Sequence, residues 1–136
     1  LRWLREHPVQ FVKIAIKGRS LPYISTPAAA RDKFFSAGTP EADVVKYAAL
    51  LQEGSARLAV DCLILSLPRP KRVTTPLLVL GADEDGAHTR AEILATARAY
   101  HTEAEFFPRM GHDMMLEPGW RDVAQCVDDW LTGLDL

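Results

Sequence analysis

The sequence has few cysteines, no long hydrophobic run and no excess of charge of either sign. Its two cysteines, Cys62 and Cys126, lie in apolar stretches with helical spacing, which indicates free buried thiols in a reducing compartment rather than a disulfide framework. The cytoplasm is therefore the expected location. No apolar run approaches the ~20 residues that a membrane-spanning helix needs. Sixteen basic residues are scattered among eighteen acidic ones, so we expect neither a nucleic-acid partner nor binding to anionic lipid.

Proline and glycine divide residues 1–72 into short amphipathic segments. Thr26-Pro27 and Thr39-Pro40 each combine a capping hydroxyl with a first-turn proline, which is typical of helix starts. Four helices are predicted here, from Pro8 to Ile16, from Pro27 towards Gly38, from Glu41 towards Gly54, and from Ser55 through Leu65. No strand pattern separates them, so residues 1–72 are predicted to form a helical segment that ends in a proline-rich connector.

Residues 73–136 have the pattern of an α/β fold. The apolar run from Pro76 to Gly81 predicts a strand buried on both faces of a parallel sheet. Thr89 and Glu92 form a capping box for a following helix. A second strand is predicted over 104–107, and apolar residues at spacings of three and four predict a final helix from Trp120. The order strand, helix, strand, helix predicts parallel pairing with a right-handed crossover.

An acidic cluster and a histidine follow the two predicted strands. Asp83, Glu84 and Asp85 come after the first strand, and His112 comes after the second. Loops at the carboxyl ends of parallel strands share one edge of the sheet. A carboxylate at that edge can bind one imidazole nitrogen, set the tautomer and leave the other nitrogen to accept a proton.

Two segments carry a family resemblance: PLLVLGADED, from Pro76 to Asp85, and GHDMMLEPGW, from Gly111 to Trp120. With them, the chain resembles the C-terminal half of an α/β-hydrolase-fold enzyme of the esterase and lysophospholipase-like kind. The resemblance implies a helical lid over residues 1–72, the C-terminal part of the core over 73–136, and a Ser-His-Asp triad. His112 would be the triad histidine. The family's usual spacing favours Asp85 as the acid, with Asp83 and Glu84 as alternatives.

The chain departs from this family at the nucleophile. No Gly-x-Ser-x-Gly occurs, and the nearest approaches, Gly18-Arg19-Ser20 and Gly54-Ser55-Ala56, do not fit the pattern. The resemblance therefore implies that the serine and the early strands lie outside these residues, in the same parent protein or in a companion chain. Without them this chain should be inactive. The implied reaction is hydrolysis of a small-molecule ester or acyl substrate without a cofactor or metal.

Other residues receive simpler interpretations. Met110, Met114, Met115, Phe34, Phe35 and Tyr47 are candidates for the walls of an acyl cleft, with core packing as the alternative. His7, His88 and His101 are interpreted as surface or capping histidines. Asp113 and Glu117 are interpreted as charges favoured near the N-terminus of the final helix.

Two other functions stay open from the sequence. One is a non-catalytic binding module that has lost the nucleophile. The other is a divalent-metal site built from oxygen and nitrogen ligands, for which the candidates are Asp83, Asp85, His88, His112 and Asp113.

Overall fold

Within residues 20–55 of the computed structural model, short helices precede the proline-rich connector. They are α1 (Leu21–Ile24), α2 (Pro27–Phe34) and α3 (Glu41–Ala48). The structure describes Val9 and residues 20–55 and 67–134. Apart from Val9, the predicted helix over 8–16 lies outside the described residues, and so does the one over 55–65 except for Ser55.

Helix α2 begins as predicted and ends earlier than predicted. The hydroxyl of Thr26 accepts a hydrogen bond from the Ala29 amide at 3.2 Å, which satisfies a free first-turn donor. The helix ends at Phe34 rather than near Gly38. The Arg31 guanidinium explains this, because it donates to the carbonyl oxygens of Ser36 and Thr39, each at 2.8 Å, and so folds residues 36–39 back as a turn.

Helix α3 begins at Glu41 as predicted, but its cap and its C-terminal end differ from the prediction. Its N-cap is Pro40, which provides no side-chain cap, and the Thr39 hydroxyl donates instead to Glu117 at 2.7 Å. The helix ends at Ala48, well before Gly54. Ala30, Phe35, Val44 and Ala48 form a buried core between α2 and α3, against which Phe34, Tyr47, Leu51 and Leu116 pack. Because Leu116 comes from the C-terminal region, the helical segment and that region share one packed core.

The second part of the chain contains a two-stranded parallel sheet with helices. Its elements are a 3-10 turn (Pro70–Arg72), β1 (Val79–Ala82), α4 (Arg90–Ala99), β2 (Ala104–Phe107), a 3-10 turn (Met114–Leu116) and α5 (Trp120–Thr132). The strands pair in parallel, with Val79 opposite Ala104 and Ala82 opposite Phe107. The predicted parallel pairing is therefore confirmed.

Local signals around the sheet agree with the structure in part. The predicted capping box is present, since Thr89 Oγ1 accepts from the Glu92 amide at 3.2 Å and Glu92 Oε2 accepts from the Thr89 amide at 2.9 Å. Strand β1 begins three residues later than predicted. The prediction that it is buried on both faces is wrong for Val79 and Leu80, which are only half-buried.

Within residues 20–55 and 67–134, no helix is long and apolar enough to cross a membrane.

Candidate active site

The loops that follow β1 and β2 are joined by backbone hydrogen bonds just beyond the sheet. The Asp83 amide donates to the Phe107 carbonyl at 3.1 Å, and the Glu84 amide donates to the Met110 carbonyl at 2.9 Å. These bonds extend the parallel pairing past the strand ends. They bring the acidic loop and the histidine loop to one edge of the sheet.

Asp85 and His112 are in direct contact at this edge. The Nδ1 atom of His112 lies 3.0 Å from Oδ2 of Asp85, within hydrogen-bonding distance. The carboxylate is 8% exposed, and its Oδ1 accepts from the amides of Ala87 at 2.6 Å and His88 at 2.8 Å. These two amides hold the carboxylate in its loop. A proton on Nδ1 then leaves Nε2 as the nitrogen that can accept one.

The contact shifts the pKa of each partner in the direction that a base and its orienting acid require. Burial by itself would raise the pKa of Asp85, but the hydrogen bonds from His112 and from the amides of His88 and Ala87 outweigh burial and lower this pKa. The hydrogen bond to Asp85 raises the pKa of His112, although burial opposes the rise. Asp85 therefore stays ionised, and His112 becomes a stronger base.

The other two acids of the cluster have different partners. Asp83 forms an exposed ion pair with Arg90 at 2.7 Å. Glu84 Oε2 accepts a hydrogen bond from the Ala37 amide at 2.9 Å. Of the three candidate acids, Asp85 is therefore the one that the structure places against His112, while its catalytic role stays a prediction.

The end of α2 lies against both loops. The Phe34 carbonyl accepts from the Asp113 amide at 3.0 Å, and the Phe34 ring centroid is 6.1 Å from that of His112. Glycines permit this close approach. A Cβ atom on Gly86 would lie 2.0 Å from the Asp32 carbonyl oxygen, and one on Gly111 would lie 2.6 Å from the Phe34 carbonyl oxygen. The helical segment is thus docked through its backbone.

Replacing Gly111 by alanine should lower the free energy of unfolding by about 1–3 kcal/mol, because the new methyl group overpacks against rigid backbone. Gly54→Ala is the matched control, since among the described residues a Cβ atom there would meet only the Ser20 hydroxyl oxygen, at 3.7 Å. Urea unfolding of both variants measures the difference. Equal stabilities of Gly111→Ala and the control would show that the loop and α2 do not meet at this distance.

Glu117 is a buried carboxylate that the sequence did not reveal. It is 1% exposed and accepts hydrogen bonds from Ser36, Thr39 and Gly111. The interpretation of Glu117 as a charge at the N-terminus of α5 is therefore wrong. The only local signal was an acid between an apolar residue and a proline. Two of its three partner residues, Ser36 and Thr39, are about eighty residues away in the chain, beyond the reach of periodicity.

The expected cleft walls separate into two groups. Phe34 lies beside His112, but Phe35 is 6% exposed and belongs to the helical core, where Tyr47 stacks on it with ring centroids 5.8 Å apart. Core packing is thus the better account of Phe35 and Tyr47. Met110 is buried, whereas Met115 is 68% exposed and lines an apolar groove of about 370 Å³ along α5.

The remaining histidines and cysteines are mostly peripheral. His88 is exposed, as expected, although its ring centroid lies 5.2 Å from that of His112. His101 is also exposed and has a left-handed backbone, with φ of 58°. Cys126 is a free thiol that is partly rather than fully buried. The predictions for His7 and Cys62 lie outside the described residues.

The metal interpretation gains no support from the geometry. Within the described residues, no group of three or more His, Cys, Asp or Glu side chains is arranged to hold a metal ion. Both oxygens of Asp85 already accept hydrogen bonds, from His112 on one side and from two backbone amides on the other.

Comparison with known proteins returned no match for this chain among protein-family models, curated proteins or solved structures.

Proposed function

We propose that this chain supplies the acid and the general base of a serine hydrolase that cleaves carboxylic esters. The observation that carries the proposal is the 3.0 Å contact between Asp85 and His112 where two parallel strands end. A histidine oriented by a buried carboxylate is the arrangement that activates a serine hydroxyl in acyl transfer. The resemblance of the two loop motifs to α/β-hydrolases supports the same assignment.

In this mechanism, His112 Nε2 takes the proton of a serine hydroxyl as its oxygen attacks the ester carbonyl. The imidazolium that forms is stabilised by the ionised Asp85. It then returns the proton to the leaving alkoxide, which departs as the alcohol and leaves an acyl-serine. Water attacks the acyl-serine with His112 again as base, and this step releases the carboxylic acid and restores the serine.

The serine is the part that these residues do not provide. The chain contains no Gly-x-Ser-x-Gly, and the proposal therefore includes a partner segment that supplies the nucleophile and the oxyanion-binding amides. This segment belongs to the same parent polypeptide or to a companion chain. The free thiol of Cys126 favours a reducing location, and we propose the cytoplasm.

The test uses the cellular protein that carries these 136 residues, purified together with any companion chain. Intact mass under denaturing conditions identifies the polypeptides, and a fluorophosphonate probe reports an activated serine. We expect one covalent adduct on a serine and hydrolysis of short-chain p-nitrophenyl esters. Absence of both an adduct and ester hydrolysis would contradict the proposal and favour a non-catalytic binding module.

A further inference from the structure

We infer that Glu117 is a positioning residue, which fixes His112 by tying the histidine loop to the turn formed by residues 36–39. Each oxygen of the Glu117 carboxylate accepts two hydrogen bonds. Oε1 accepts from the Ser36 amide at 2.6 Å and the Gly111 amide at 3.0 Å. Oε2 accepts from the Ser36 and Thr39 hydroxyls, both at 2.7 Å. One side chain thus joins two segments that are far apart in the chain.

The four hydrogen-bond donors around Glu117 stabilise its carboxylate in the ionised form. A carboxylate that is 1% exposed would be costly without partners. Burial tends to raise the pKa of Glu117, but the hydrogen bonds from Ser36, Thr39 and Gly111 outweigh it and lower the pKa. The carboxylate therefore remains ionised at neutral pH. Charge-assisted bonds of this kind are short and strong, so the loop and the turn are held in one arrangement.

The two residues that flank His112 are both held by these contacts. The Gly111 amide, just before His112, donates to Glu117 at 3.0 Å. The Asp113 amide, just after it, donates to the Phe34 carbonyl at 3.0 Å. The backbone that carries the imidazole is therefore tied to the helical segment on each side, through Glu117 before His112 and directly to Phe34 after it. A small displacement of a catalytic base costs up to about 100-fold in rate, so this anchoring bears directly on the proposed chemistry.

Glu117 acts on His112 through the loop backbone that it holds, and its charge acts on the pKa of Asp113 rather than directly on that of His112. Among the described residues, the charged groups that act directly on the pKa of His112 are Asp85, Asp113 and Lys33, and the His88 ring also lies beside the His112 ring. We therefore expect Glu117→Gln to change the His112 pKa mainly by altering the distance from Nδ1 to Asp85. This distinguishes a positioning role from simple loss of nearby charge.

The inference rests on the proposed function for its catalytic consequence, and the experiment separates the two. Glu117→Gln keeps the size of the side chain and one acceptor oxygen. Asp122→Asn is the matched control, because Asp122 is an exposed acid in the first turn of α5. The first readout is histidine NMR of the whole protein that carries these 136 residues. Two quantities are followed: the solvent exchange of the low-field Nδ1 proton of His112, and the pKa of His112.

We expect Glu117→Gln to speed solvent exchange of the His112 Nδ1 proton at least tenfold and to move the His112 pKa down towards its ordinary value. In the active protein we expect kcat to fall by about 10- to 100-fold with KM changed less than about threefold. Asp122→Asn should leave all of these quantities at wild-type values. A folded Glu117→Gln protein with unchanged exchange and unchanged His112 pKa would overturn the inference.

Two further variants keep the test decisive if Glu117→Gln does not fold. Ser36→Ala and Thr39→Val each remove one hydroxyl donor while the carboxylate stays. We expect each to produce a smaller change of the same sign in His112 exchange, and no change in either would overturn the inference. If the wild-type protein forms no serine adduct and hydrolyses no ester, the proposed function fails, while the NMR measurement still decides whether Glu117 positions His112.

Discussion

Replacing His112 by asparagine should lower the rate of serine labelling and of ester hydrolysis by about 10⁴-fold or more. Asparagine keeps a polar group of similar size near Asp85 but has no nitrogen that can accept a proton. The serine hydroxyl would then keep its proton, and the leaving alkoxide would have no acid to protonate it. Initial rates with a p-nitrophenyl ester, together with probe labelling, measure the loss.

His101→Asn is the matched control for this variant. His101 is exposed and has φ of 58°, a backbone conformation in which asparagine is well tolerated. His101→Asn makes the same chemical change far from the acidic loop. Its rate of ester hydrolysis should stay within about twofold of the wild-type rate, as for an ordinary surface substitution. Comparable losses in the two variants, or retention of activity in His112→Asn, would rule out His112 as the general base.

Replacing Asp85 by asparagine should lower kcat by about 10³- to 10⁴-fold. The amide of asparagine can present a donor towards Nδ1 of His112, where the carboxylate presents an acceptor at 3.0 Å. That arrangement favours the tautomer with the proton on Nε2, which then cannot accept one from serine. Asp83→Asn is the control, because Asp83 pairs with Arg90 at an exposed site. A larger loss in Asp83→Asn than in Asp85→Asn would reverse the choice of acid.

Asp85→Asn should also change how the free energy of unfolding depends on pH. The raised pKa of His112 stabilises the fold fully below its unfolded value of about 6.5, and this contribution is lost as pH rises through the folded pKa. The lowered pKa of Asp85 stabilises the fold above its unfolded value of about 3.9, and this contribution is lost as pH falls through the folded pKa. The pair therefore contributes most between about pH 4 and 6.5.

Urea unfolding of wild type and Asp85→Asn at pH 5 and at pH 8.5 tests the direction of this pH dependence. The difference in free energy of unfolding between the two proteins should be larger at pH 5. A difference that is equal at the two values, or larger at pH 8.5, would mean that Asp85 and His112 do not form a charged pair in the folded protein.

Helix ends show where local reading of the sequence succeeds and where it fails. The capping box of Thr89 and Glu92 is correct because its hydrogen bonds join residues three apart. The sequence pattern predicts the end of α2 too late because the determinants of that end are not local. Arg31 binds carbonyls of the following turn, and the Phe34 carbonyl accepts from the Asp113 amide. A hydrophobic pattern predicts which residues form a helix, but hydrogen-bond partners elsewhere in the chain decide where the helix ends.

The sequence by itself determined the order of strands and α-helices over residues 73–136, the parallel pairing and the adjacency of the acidic loop to His112. These depend on hydrophobic periodicity and on chain connectivity, which are both readable along the chain. Only the tertiary structure decided which acid lies against His112 and how the carboxylate of Glu117 is used. Asp83, Glu84 and Asp85 are neighbours with the same chemistry, and they differ only in the direction in which the loop points each side chain. Glu117 is bound by hydroxyl and amide donors from the helical segment, so its burial depends on a long-range contact that no local pattern encodes.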